Sequence, residues 1–112
     1  MVTPLFHPSD VGFALRWSER APGIDGWRVQ PEPQDVPERV LVTPPGSRVP
    51  VFVITRPAAR VLVERQVGEG TFDVVGEYDN LRLAVQALCP IPSEELQEIN
   101  EELELSFPRG QR

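Results

Sequence analysis

Apolar and polar positions alternate strictly near the start of the chain. Val11, Phe13, Leu15 and Trp17 interleave with Gly12, Ala14, Arg16 and Ser18. A period of two predicts a half-buried strand over 11–18. A helix competes for the same residues, with Ser9 as cap, Asp10 in the first turn and Pro22–Gly23 as a stop. The alternation and Gly12 in mid-segment favour the strand. Gly23, Asp25 and Gly26 then form a turn, and Trp27 and Val29 predict a second, short strand.

Residues 30–38 carry Pro31, Pro33 and Pro37 among Glu32, Asp35 and Glu38, which predicts an extended proline-rich loop. Val40–Leu41–Val42 is a short strand. Pro44–Pro45–Gly46–Ser47 is the strongest turn signal in the chain. The run Val49 to Thr55 is apolar on both faces and predicts a central strand covered on both sides. Arg56–Pro57–Ala58 breaks it. Arg60 to Val67 follows as a strand with Val61, Val63 and Val67 inward and Arg60, Glu64 and Gln66 outward. Gly68–Glu69–Gly70 reads as a hairpin loop. Phe72, Val74 and Tyr78 continue into the next strand, which Gly76 weakens.

The periodicity then changes. Asp79 or Asn80 can cap a helix whose stripe is Leu81, Ala84, Val85 and Leu88, at i, i+3, i+4 and i+7. Pro90 ends it. Ser93 is a good N-cap for a second helix, with Glu94 and Glu95 in the first turn, where the dipole favours negative charge. Leu96, Ile99 and Leu103 form its apolar face, and Glu94, Glu98 and Glu101 point away from it. Leu103, Leu105 and Phe107 also alternate, so an extended end near Leu103 competes with a longer helix. The expected fold is α+β: an antiparallel meander of five or six short strands, followed by two short C-terminal helices packed on one sheet face. Residues 1–112 form a single domain, with 1–10 as an irregular lead and 108–112 as a flexible tail.

Composition supports short elements. Thirteen prolines in 112 residues are about twice the usual share of roughly 5%, which disfavours long helices. Hydrophobic content of 40% still suffices for one ordinary core. Cys89 is the only cysteine, so neither an intramolecular disulfide nor a cysteine metal cluster can form. A cytoplasmic location is expected. No basic start and apolar run mark a signal peptide. The longest aliphatic or aromatic run, Val51 to Ile54, is far too short to span a bilayer. Eleven arginines without a lysine fit codon usage in a GC-rich bacterium or its phage.

Charge is unevenly placed. Residues 1–72 balance eight acids against eight arginines, whereas residues 73–105 hold nine acids and only Arg82. The total is −6. Such a chain is a poor match for nucleic acid or anionic membranes, which attract basic side chains. It suits a basic protein partner, because complementary potentials speed encounter.

The sequence offers little chemistry. His7–Pro8–Ser9–Asp10 places triad residue types side by side, but a triad needs groups that converge in space, so a local cap is the expectation. A lone histidine does not make a zinc site, and no calcium-type loop is present. Cys89 falls at a helix end, where the dipole disfavours a thiolate. Gly68–Glu69–Gly70 lacks the third glycine and the lysine of a phosphate loop. Arg48, Arg56, Arg60 and Arg65 could read DNA from a sheet, but Glu64, Glu69, Asp73 and Glu77 oppose that. Trp17 beside Arg16 and Trp27 beside Arg28 have the composition of partner hot spots, as well as of core aromatics.

The expectation is therefore a non-enzymatic protein with no cofactor or metal, binding a basic protein partner as an inhibitor, immunity protein or chaperone-like adaptor. Glu94, Glu95, Glu98, Glu101, Glu102, Trp17 and Trp27 are its candidate contacts. Two other classes remain: an assembly subunit of a homo-oligomeric (including homodimeric) or phage-type complex, and a small-molecule or catalytic domain using residues such as Arg56, Arg60 and Glu64.

Overall fold

The computed structural model describes residues 6–21, 26–33 and 37–106. The first five residues of the lead, the turn residues Gly23 and Asp25, Asp35 of the proline-rich loop and the tail from Phe107 lie outside them. The chain order is α1 (Pro8–Arg20), β1 (Arg28–Glu32), β2 (Arg39–Thr43), β3 (Phe52–Thr55), β4 (Val61–Gly68), β5 (Thr71–Tyr78), α2 (Leu81–Leu88) and α3 (Ser93–Ser106). The five strands form one antiparallel meander in sequence order. The α+β architecture with two helices after the sheet is as expected.

The strand expected over 11–18 is instead the helix α1. Its ends decide the matter. Pro8 occupies the first turn, where a missing N–H costs nothing. His7 is the cap, its Nδ1 accepting from the backbone N–H of Ser9 at 3.2 Å. Asp10 sits in the first turn and Arg20 in the last, each favourable to the dipole. Ala14 is the residue that separates the two readings. Alternation puts it outside with the polar set, yet it is completely buried, and Leu15, placed inside by alternation, is 40% exposed. Val11, Phe13, Ala14 and Trp17 form the buried face at helical spacing.

The other helices follow their capping chemistry. Asn80 caps α2, its Oδ1 accepting from the N–H of Leu83 at 2.9 Å. Leu81, Ala84 and Val85 are buried, and Leu88 packs against the core part-exposed. In α3 the N–H of Leu96 donates to the carbonyl of Pro92 at 3.0 Å. Pro92 therefore holds the cap position expected for Ser93, which is the first helical residue. The helix continues through Leu105 to Ser106, so the extended end near Leu103 does not occur.

The sheet is built on cross-strand rows. Val40 pairs with Ile54, and Ile54 with Val63. With Val42 and Val61 these residues are essentially inaccessible to solvent and meet Trp17, Leu81, Val85 and Ile99 in one core. α1 packs on β1, α2 on β4 and β5, and α3 on α1. The shortest extent of the molecule is 22 Å, about one sheet plus one layer of helices at roughly 10 Å each. Among the described residues no helix lies on the opposite face.

Three expectations about strands change. β3 is central in order, but only one face is covered: Ile54 is buried, its neighbours are part-exposed, and Val49 lies before the strand at 63% exposure. Val67 is not inward but 48% exposed, because the β4–β5 hairpin outruns the helices that cover its base. The proline-rich loop begins later than expected, since Gln30, Pro31 and Glu32 belong to β1. β1 is an edge strand, where proline's missing N–H need not break a ladder. The other edge, β5, carries a bulge at Val75: Val63 faces Gly76, and Glu64 faces Val74. Gly76 has a packing role, because a methyl group there would lie 2.9 Å from the Tyr78 hydroxyl oxygen.

Arg82 joins the helices. Its Nε lies 2.8 Å from Asp10 Oδ1, its Nη1 donates to Asn100 Oδ1 at 3.2 Å, and its guanidinium sits 5.3 Å from the Phe13 ring centroid.

Candidate functional site

Burial of Ile99 and Leu103, with Leu96 beside them, fixes the rotation of α3. That rotation sends Glu94, Glu98, Glu101 and Glu104 to solvent and leaves Glu95 part-exposed. Among the described residues, Glu94, Glu101 and Glu104 are in no ion pair; Glu101 accepts only from Gln97 at 3.3 Å.

Glu102 behaves differently from the other expected contacts. Its Oε1 lies 3.0 Å from Arg16 Nε and its Oε2 2.7 Å from Arg20 Nη2. Arg20 also approaches Glu98 at 3.9 Å. Glu102 thus serves the packing of α3 on α1, and its two oxygens are already engaged. The acidic helix is held by the arginines of α1, a relation invisible while 11–18 reads as a strand.

The tryptophans separate. Trp17 has no accessible surface, and its Nε1 donates to the carbonyl of Cys89 at 2.9 Å. On α1 it faces the core, so it presents nothing to a partner. Trp27 packs against it, with ring centroids 5.2 Å apart and planes tilted by 54°, and remains part-exposed.

His7, Ser9 and Asp10 do not form a triad, and Arg60 and Glu64 do not converge. Ser9 Oγ lies 2.7 Å from His7 Nδ1, but that nitrogen also caps the helix, and Asp10 turns away to Arg82. The cap accounts for the contact, with His7 rather than Ser9 or Asp10 as the capping residue. Arg60 reaches the carbonyl of Glu77 at 3.2 Å and Asp79 at 3.6 Å. Glu64 is four residues further along an extended chain, about 13 Å away at ~3.3 Å per residue. Arg65 falls on the same side of β4 as the buried Val61 and Val63, whereas Glu64 points to the opposite side. Arg65 and Glu64 therefore do not share a face of the sheet. Among the described residues no group of three or more histidine, cysteine, aspartate or glutamate side chains is placed to hold a metal ion. None of the described helices is long and apolar enough to cross a membrane.

A groove of about 450 Å³ opens between α1 and the β1 edge, walled by Val11, Leu15, Val29 and Pro31. Its polar members are mutually occupied: Gln30 donates to Glu32, and Glu32 accepts from Arg39 at 2.9 Å. Its described lining holds no nucleophile or histidine.

A second surface escapes the sequence pattern. On the open side of the sheet, Leu41 pairs with Val53, Val53 with Glu64, and Glu64 with Val74. The flanking row runs from Thr55 to Leu62 to Glu77. Phe72, opposite Gln66, completes the face. Phe72 and Val74 are 43% and 64% exposed. The two-sided apolar character of Val49 to Thr55 is the one signal of this surface. It predicts a second covering layer, and among the described residues the chain supplies only one.

No protein-family model, characterised protein or solved structure matches this chain.

Proposed function

We propose that the chain is a small, acidic, non-enzymatic protein-binding protein of the inhibitor, immunity or adaptor kind, acting in the cytoplasm. It docks on a basic partner through the outward face of α3. One observation carries this reading: Glu94, Glu98 and Glu101 project together from a helix whose rotation is fixed by buried Ile99 and Leu103 and by the ties of Glu102. A rigidly displayed carboxylate row steers a basic surface and loses little freedom on binding. Leu105, 83% exposed on the same helix, offers an apolar contact beside it.

The test compares the wild type with the Glu94→Gln, Glu98→Gln, Glu101→Gln triple variant as baits in lysate, at low and high salt. A stoichiometric basic partner that is retained by the wild type, lost with the variant and lost at high salt supports the reading. Capture that is indifferent to both the variant and salt removes α3 as the docking face.

A second reading, an assembly subunit, is favoured by a different observation: Val67, Phe72 and Val74 are exposed on the β4–β5 hairpin. Apolar side chains grouped at a surface often mark an interface. Mass in solution across a concentration series distinguishes it, since an assembly subunit is oligomeric at micromolar concentration and an adaptor is monomeric.

A further inference from the structure

The open face of the sheet has no covering layer among the described residues. Leu41, Val53, Leu62, Phe72 and Val74 lie on it, facing away from the helices. From β2 to β5 the patch spans three strand intervals, about 14 Å at ~4.8 Å per strand, or two to three turns of helix. Glu64 stands among these side chains, and Glu77 is paired with Leu62. Neither carboxylate is in an ion pair among the described residues, whereas the two arginines beside them are engaged elsewhere: Arg39 by Glu32 at 2.9 Å, and Arg60 by Asp79 at 3.6 Å and the Glu77 carbonyl at 3.2 Å. The face is therefore apolar with uncompensated negative charge.

The sheet edges exclude one mode of occupancy. Strand addition needs a free row of backbone donors and acceptors. β1 presents Pro31, which lacks an N–H, and β5 presents the Val75 bulge between Asp73 and Glu77. An occupant must come face-on. A second copy of this chain is a poor one, because stacking two open faces brings two sets of Glu64 and Glu77 carboxylates together. A helix with an apolar stripe flanked by arginine or lysine satisfies both the patch and its charge, and adds the layer that sheets commonly carry on a second face.

We infer that the open face of the β2–β5 sheet is a docking surface for a basic amphipathic helix of a partner protein, with Val53, Leu62, Phe72 and Val74 as its apolar floor and Glu64 and Glu77 as its charge contacts. This surface lies on the opposite side of the slab from the helix layer. It goes beyond the α3 reading and does not depend on it.

The experiment titrates the full chain, with backbone amides followed by NMR, using a synthetic amphipathic peptide of roughly 18 residues, long enough to hold a helix when bound, with leucines on one face and arginines flanking them. A matched peptide carries glutamate in place of each arginine. The basic peptide is expected to shift amides of β3, β4 and β5, and the acidic peptide is expected not to bind. The Glu64→Arg, Glu77→Arg double variant alters exposed or part-exposed positions and should fold; it is expected to weaken binding roughly tenfold or more. In the Glu94→Gln, Glu98→Gln, Glu101→Gln variant the amides of β3, β4 and β5 are expected to shift as they do in the wild type, which separates this face from any contact of the peptide with α3. Equal binding of both peptides, or shifts confined to α3, overturns the inference. So does a dimer in solution that Val74→Asp dissociates, since a second copy then occupies the face.

Discussion

The indole N–H of Trp17 donates to the carbonyl of Cys89 at 2.9 Å, joining the inward side of α1 to the residue that terminates α2. The ring itself has no solvent contact. One side chain thus combines the largest buried volume of the core with a directional tie between two helices far apart in sequence.

Trp17→Phe keeps an aromatic ring but leaves the Cys89 carbonyl without this donor. It should cost about 1–2 kcal/mol, towards the lower end because Cys89 is part-exposed. Trp17→Ala also empties the site and should cost about 3–5 kcal/mol. Urea unfolding of the three proteins gives both differences; equal midpoints for Trp17→Phe and wild type would show the hydrogen bond to be without net effect.

Glu102 and Glu101 are adjacent in sequence but opposite in role. Glu102→Gln weakens two arginine contacts at once and should lower stability by about 1 kcal/mol, less in high salt, since the pairs are part-exposed. Glu101→Gln should stay within about 0.5 kcal/mol of wild type. Thermal melts of both variants at two salt concentrations check the contrast.

Asn80→Ala removes the acceptor for the N–H of Leu83 and should destabilise by about 1 kcal/mol. Asn80→Asp retains an acceptor and should recover most of that loss. Amide exchange in the first turn of α2 should rise in the alanine variant and not in the aspartate variant.

The β4–β5 turn predicts a difference between its two glycines. Gly70 has φ of +71°, whereas Gly68 has no such requirement, and a methyl group added there would come no closer than 3.8 Å to Thr71. Gly70→Ala should cost about 1–2 kcal/mol. Gly68→Ala should be nearly neutral. Denaturation midpoints measured side by side test this.

The meander was legible because each of its turns is punctuated by glycine or proline and its strands alternate against a single core. α2 and α3 were legible because Asn80, the Leu81–Leu88 stripe and the Leu96–Leu103 stripe agree on one period. α1 was not, because alanine counts as either pattern demands: with Ala14 set among the polar residues, 11–18 alternates, and with Ala14 inside, it is helical. The capping residues around Pro8 carried the deciding information. The candidate site was legible only in part. Spacing was sufficient to send Glu94, Glu98 and Glu101 outward, but nothing local could place Arg16 and Arg20 against Glu102, since that contact spans more than 80 residues. Trp17 lost its candidacy for the same reason, once its segment turned out to be a helix facing the core.

Among the described residues, the side-chain ties of α1 to α2 and α3 reach residues made late. Asp10 meets Arg82, Trp17 meets Cys89, and Arg16 and Arg20 meet Glu102. Every strand, by contrast, pairs with the strand made immediately before or after it. During synthesis the sheet can therefore form progressively as it emerges, while α1 waits for about 70 further residues before its first helix partner exists. At roughly 5–20 residues per second that interval lasts several seconds, during which Val11, Phe13 and Trp17 lack most of their final cover. The nascent chain is most exposed to off-pathway association in this window, and the arrival of α2 and α3 closes it.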